Sequence, residues 1–181
     1  MTEGDYMKKV GLLVTFVISI CLLTGCGGSN NIRELSNNLA SEIEMDTTGA
    51  VAVCTINSMD PSRRSSIGGK VAIFGSNGIV TRTEVTELFE SNDIQTLQAM
   101  QVSMIERHEI LKTYGGQEQE TSLTNRRLTL RGTVHHEQVE WERLSHDDLS
   151  IREFLNDDFR FTVESMIKFL ELNNFYRCET Q

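Results

Sequence analysis

Lys70-Val71-Ala72-Ile73-Phe74, then Gly75-Ser76-Asn77-Gly78, then Ile79-Val80-Thr81-Arg82-Thr83-Glu84-Val85, is the stretch that decides the fold. Two runs rich in β-branched residues flank four residues that disfavour regular structure. The Asn-Gly step tolerates the positive φ that a tight hairpin turn demands. Two adjacent antiparallel strands are therefore predicted. Upstream, after Gly49, Ala50–Ile56 is short, small and β-branched, which suits a buried strand. Residues 58–69, with Pro61, Arg63, Arg64, Gly68 and Gly69, read as the loop between them. The glycine pair before Lys70 lacks the Gly-x-x-x-x-Gly-Lys-Ser/Thr order of a phosphate-binding loop, so no nucleotide is assigned to it.

Downstream the periodicity changes. Read as a helix, residues 93–114 place Leu97, Met100, Met104, His108 and Leu111 on one side, and Gly115-Gly116 supplies a stop. Read as a strand, Met100, Val102, Met104, Ile110 and Tyr114 share a face, but Glu106 and His108 share it too. The helix is preferred, since glutamine and alanine favour that state. Residues 115–125 read as a polar loop. A second hairpin is expected from Arg127 to Arg143: pairing Val134 with Val139 sets Gly132 opposite Trp141 and Arg131 opposite Glu142. In that register Trp141 over a glycine is a core contact.

Two helices close the chain in this reading. Asp148–Leu155 is short. Asp158–Leu172 carries Phe159, Val163, Met166, Ile167 and Leu170 on one wide face, with Asp157 and Asp158 near its positive end, and it should cover the sheet. Asn173-Asn174 can end it in a left-handed turn, leaving Phe175–Cys178 extended. Ahead of Gly49, Asn31 caps a first helix with Ile32, Leu35, Leu39 and Ile43 at helical spacing. The expected class is α+β, a small antiparallel sheet built from hairpins and covered by helices.

The N-terminal segment has another character. Lys8-Lys9 precede the apolar run Val10–Leu23 and then Thr24-Gly25-Cys26. Fourteen residues of helix reach about 21 Å, short of the ~30 Å hydrocarbon core, so the run suits a cleaved leader better than a permanent span. The stretch Leu23-Thr24-Gly25-Cys26 resembles the lipobox of bacterial lipoprotein precursors: an aliphatic residue, two small residues and a cysteine. The resemblance implies a diacylglyceryl group on the Cys26 thiol, cleavage by signal peptidase II between Gly25 and Cys26, and acylation, such as palmitate, of the new amino terminus. Two or more acyl chains anchor a protein stably where one does not. Gly27 follows Cys26, where aspartate commonly retains lipoproteins at the inner membrane. In a host with two membranes the resemblance therefore implies the outer membrane, with the domain facing the periplasm. Residues 1–25 are accordingly read as leader, 26–31 as lipidated tether and 32–181 as one domain. Residues 1–6 hold two acids and no base, so Met7 is an alternative start.

Removing the leader leaves 15 basic and 24 acidic residues, a net charge of −9. Such a surface repels phosphate backbones, which argues against a nucleic-acid partner. Cys21 falls in the leader and Cys26 is the lipid site, leaving Cys54 and Cys178. An even remainder in an exported chain suggests a disulfide, with two buried thiols as the alternative.

Candidate chemistry is sparse. His135, His136 and Glu137, with His146, Asp147 and Asp148, are the best metal candidates, but adjacent strand residues point to opposite faces and no metal-binding spacing is present. Ser145-His146-Asp147 contains the residue types of a hydrolytic triad, yet consecutive residues cannot readily form its chain of hydrogen bonds. The acid pairs Asp147-Asp148 and Asp157-Asp158 suit helix starts. No catalytic residue, metal or cofactor is assigned. The expectation is a membrane-anchored envelope lipoprotein that binds or helps assemble another envelope protein without catalysis, with loops 58–69 and 115–126 as contact surfaces. An immunity or exclusion lipoprotein and a membrane-tethered hydrolase are the alternatives.

Overall fold

The structure, a computed structural model, describes residues 38–60 and 65–181. The leader, Gly25, Cys26, the tether and most of the first expected helix lie outside the described residues. The fold is α+β: a six-stranded antiparallel sheet in the order β4-β5-β3-β2-β1-β6 with helices packed on one face. The strands are β1 (Ala52–Asp60), β2 (Ser65–Ser76), β3 (Ile79–Ser91), β4 (Gln117–Thr124), β5 (Arg127–His135) and β6 (Arg177–Thr180). The helices are α1 (Ile94–Leu111), α2 (Trp141–Asp147), α3 (Leu149–Arg152) and α4 (Val163–Asn174).

The β2–β3 hairpin forms where the sequence places it. Asn77 and Gly78 sit at φ 53° and 76°, the positive values a two-residue turn needs. Both strands run further than expected, and the proposed loop 58–69 is mostly strand: β1 continues to Asp60 and β2 begins at Ser65. Gly68 and Gly69 mislead because they serve close approach rather than turning. A Cβ on Gly68 would strike the backbone of Leu39 and Ala40, and one on Gly69 would lie 2.6 Å from the Tyr176 hydroxyl.

The register gives the two faces different characters. Cys54, Val71, Val85, Gly132 and Gln119 share one row, and Ile67, Phe89, Leu128 and Leu123 another. With the other alternate residues of these strands they form the face that the helices cover. Helix α1 spans most of the segment read as helical and turns Leu97, His108 and Leu111 inward, with Met100 and Met104 packed beside them. Its N-cap is Asp93, whose carboxylate accepts from Gln95 N at 3.0 Å. Helix α4 lies on the same face, burying Met166, Phe169 and Leu170.

Residues 117–124 are a strand, not a loop, and they take the place expected for 139–143. Strand β5 pairs with β3 and β4, so Val134 faces Thr83 and Gln117. Gly132 lies against Val85, and Arg131 reaches Glu120 at 3.7 Å rather than Glu142. After His135 the chain makes a 3₁₀ turn at 136–138 and enters α2. Trp141 stacks on His136 at a centroid distance of 5.1 Å and meets Phe161 edge-on.

Helix boundaries also move. Helix α4 begins after Thr162, which forms a capping box with Ser165, and not at Asp158. The segment before it turns at Phe159, φ 54°, closed by Asn156 Oδ1 accepting from the amides of Asp158 and Arg160. The left-handed residue after α4 is Phe175, φ 57°, rather than Asn173 or Asn174. Where the first expected helix is described, Leu39–Glu42 is a single 3₁₀ turn and Ile43 is extended. Leu39 and Ile43 pack on Leu88 across the face opposite the helices.

Candidate functional site

The face of the sheet without helices carries a groove. Residues 39–46 cross it over β2 and β3, held by Ala40 N donating to Asn57 Oδ1 at 2.9 Å and Lys70 Nζ donating to the Ile43 carbonyl at 2.7 Å. Beside this strap no other described segment crosses the outward side chains of β3, β5 and β4. Alternation dictates what they are: Glu84 and Thr86 on β3, Arg131 and Thr133 on β5, Glu118 and Glu120 on β4. With Glu44, Met45 and Asp46 as its rim they line an open groove of about 480 Å³.

Five carboxylates and one guanidinium line this groove. Glu84 is paired with Arg82 Nε at 3.1 Å, and Glu120 lies 3.7 Å from Arg131. Amide and hydroxyl hydrogen bonds from Thr48 hold the Asp46 carboxyl below its usual range, keeping it ionised. The surplus of negative charge over a shallow, threonine-floored trough favours a cationic ligand that offers several hydrogen-bond donors. In the sequence these carboxylates show only as net charge, because Glu44 and Glu120, the outermost of them, are 76 positions apart in the chain. The groove takes Glu118, Gln119 and Glu120 from the expected contact segment 115–126, which is largely strand rather than loop, and none of its lining comes from 58–69.

The other candidate residues are dispersed among structural roles. His136 is buried, with Nε2 3.2 Å from Thr83 Oγ1, and burial pushes its pKa down to about 3, so it is a neutral ring of the aromatic core. His146 is exposed on α2, while Ser145 is buried and donates to the Glu142 carbonyl at 2.8 Å. Asp147 accepts from the Tyr114 hydroxyl at 2.6 Å, and Asp148 caps α3 through Ser150 N. The Ser145-His146-Asp147 trio is thus not brought into a hydrogen-bonded chain. Among the described residues no group of three or more His, Cys, Asp or Glu side chains is placed to hold a metal.

Cys54 and Cys178 face each other in the β1–β6 register and form a disulfide. One row away lies a feature the sequence reading misses. Glu87, between Val85 and Phe89 on the covered face, is fully buried and accepts from the Tyr176 hydroxyl at 2.8 Å. Burial pushes its carboxyl up to about 7 even though the Tyr176 hydrogen bond favours the ionised form. The same burial, together with Glu87, raises Tyr176 well above the ordinary phenol range. Alternation with Val85 and Phe89 was the signal that Glu87 points inward.

No family model matches the chain. No curated protein matches it. Among solved structures it is similar to the NMR structure of the Escherichia coli YehR protein, at 13% identity and TM-score 0.43, covering 71% of this chain and 90% of that one. It is also similar to the NMR structure of a protein from Streptococcus pneumoniae TIGR4, at 12% identity and TM-score 0.41, covering 88% and 99%. Among the described residues no helix is long and apolar enough to cross a membrane.

Proposed function

We propose that the chain is an envelope lipoprotein, cleaved before Cys26 and held at the membrane by acyl chains on that residue, whose domain binds a partner protein without catalysis. The anchor reading rests on Leu23-Thr24-Gly25-Cys26 behind a basic and then apolar leader. The binding reading rests on the acidic groove, and the partner segment it suits is basic and extended. In a host with two membranes, Gly27 after the cysteine favours the outer membrane and a periplasmic domain. A tether raises the local concentration of such a domain near other envelope proteins, so a modest intrinsic affinity suffices.

The test is photocrosslinking in the native envelope from a probe placed at Thr133, on the groove floor. A discrete adduct with a second protein is expected, and it should be lost when Glu118 and Glu120 are both changed to lysine while the amount of folded chain stays constant. An adduct pattern unchanged by Glu118→Lys with Glu120→Lys would remove the groove from the proposal.

A further inference from the structure

Among the described residues the sheet ends in β4 on one side and β6 on the other, and these two edges differ. Native sheets blunt an edge by keeping it short, by bulges, or by placing lysine or proline on it. β6 is short, four residues, and carries Arg177. β4 uses none of these devices: Gln117–Thr124 runs for eight residues in unbroken register with β5 and contains neither lysine nor proline. Its charges are Glu118 and Glu120, both exposed on the groove face.

The hydrogen-bonded rungs fix which groups of β4 point away from the sheet. His135 N donates to the Gly116 carbonyl at 2.7 Å, so in the register that sets Gln117 beside Val134 the bonded rungs to β5 fall on Glu118, Glu120 and Ser122. The main-chain N–H and C=O groups of Gln119, Thr121 and Leu123 are therefore directed outward, away from β5. The strand is pinned from the covered face. Gln119 Nε2 donates to the Met104 carbonyl of α1 at 3.3 Å, and Gln101 Nε2 donates to Thr121 Oγ1 at 3.4 Å. A fixed row of outward donors and acceptors is a template for one more strand.

We infer that β4 is the docking edge, where a partner segment with lysine or arginine at alternate positions adds as one further antiparallel strand. The inference rests on the acidic groove as the partner site and specifies how the partner is held there. Charge complementarity selects the occupant. One row on the groove face runs Thr86, Arg131, Glu120 and another Glu84, Thr133, Glu118, so both end in a glutamate at the edge. An added strand brings alternate side chains to about 5 Å from these two glutamates, Cβ to Cβ. A basic residue beside Glu120 continues the alternation begun by Arg131, and one beside Glu118 neutralises it. A second copy of β4 fits worse. Paired antiparallel about Gln119 it sets Glu118 against Glu120, and paired about Glu120 it sets that residue against itself.

The test uses the full chain, isotope-labelled for NMR and held in detergent micelles, with a peptide of alternating lysine and threonine about ten residues long as the probe. Exchange of the Gln119, Thr121 and Leu123 amides should slow when the peptide is added. N-methylating the peptide's threonine amides, the set that an antiparallel strand turns towards β4, should weaken binding about tenfold or more, while N-methylating its lysine amides should not. Equal binding by the two methylated peptides, still lost on Glu118→Lys with Glu120→Lys, would overturn strand addition and leave the groove as the site. Binding that survives the double lysine substitution, or no binding at all, would remove the groove reading as well. Edge amides already protected without peptide would also overturn the inference, assigning the edge to a second copy if dilution frees them and to another segment of the same chain if it does not.

Discussion

Replacing Cys54 and Cys178 together by alanine should lower the unfolding free energy by about 5 kcal/mol, the chain-entropy value for opening a closed loop of roughly 125 residues. The two sulfurs join residues 124 apart in sequence, nearly the full length of the domain. The bond also acts locally. Strand β6 pairs with β1 at only four positions, and Tyr176, whose hydroxyl meets Glu87, immediately precedes it. Without the crosslink this edge should fray first, with hydrogen exchange rising in residues 175–181 before it rises in β3 or β5. Urea unfolding of the oxidised chain against the double alanine variant is the measurement. A difference of under about 1 kcal/mol would show that the unfolded ensemble is already compact, or that the bond does not form.

A second large effect is expected at Glu87. Its carboxyl titrates at about 7 in the folded chain against 4.5 as its ordinary value. The folded state therefore holds a proton that the unfolded state has released between these two values. Stability is fully present below pH 4.5, falls as pH rises through 7, and then levels off. The total loss is about 3 kcal/mol at 1.36 kcal/mol per unit. Glu87→Gln keeps an oxygen to accept from Tyr176 and has no charge to bury. The variant should match wild type near pH 4.5 and exceed it by about 3 kcal/mol at pH 8. The difference between their urea midpoints across pH isolates this group from every other titration. Parallel curves for the two proteins would refute the assignment.

What could be seen in the sequence was whatever has a local cause. Asn77-Gly78 dictates its turn through backbone freedom, and α1 shows itself by the spacing of Leu97, Met100, Met104, His108 and Leu111. Partner choice is not local. Strand β4, Gln-Glu-Gln-Glu-Thr-Ser-Leu-Thr, reads as loop because it is a polar edge whose side chains alternate between partly buried and exposed. Val134 finds its neighbours in β3 and β4, though Val139 offered a nearer match in sequence. Phe175 takes the left-handed position because the chain must turn there to lay β6 against β1, which residue preference does not reveal. The groove was hidden for the same reason as β4: its carboxylates converge only when the order β4-β5-β3 is known.

The proposed lipid anchor at Cys26 would unite the rest. Such an anchor would supply the oxidising compartment that suits the Cys54–Cys178 bond and a reason for an acidic groove to act close to the membrane. The most direct measurement is the intact mass and N-terminal peptide of the protein isolated from its own host. A chain beginning at Cys26 with diacylglyceryl on its sulfur is expected. A chain that keeps its leader, or begins at Cys26 with a free thiol, would contradict the anchor reading.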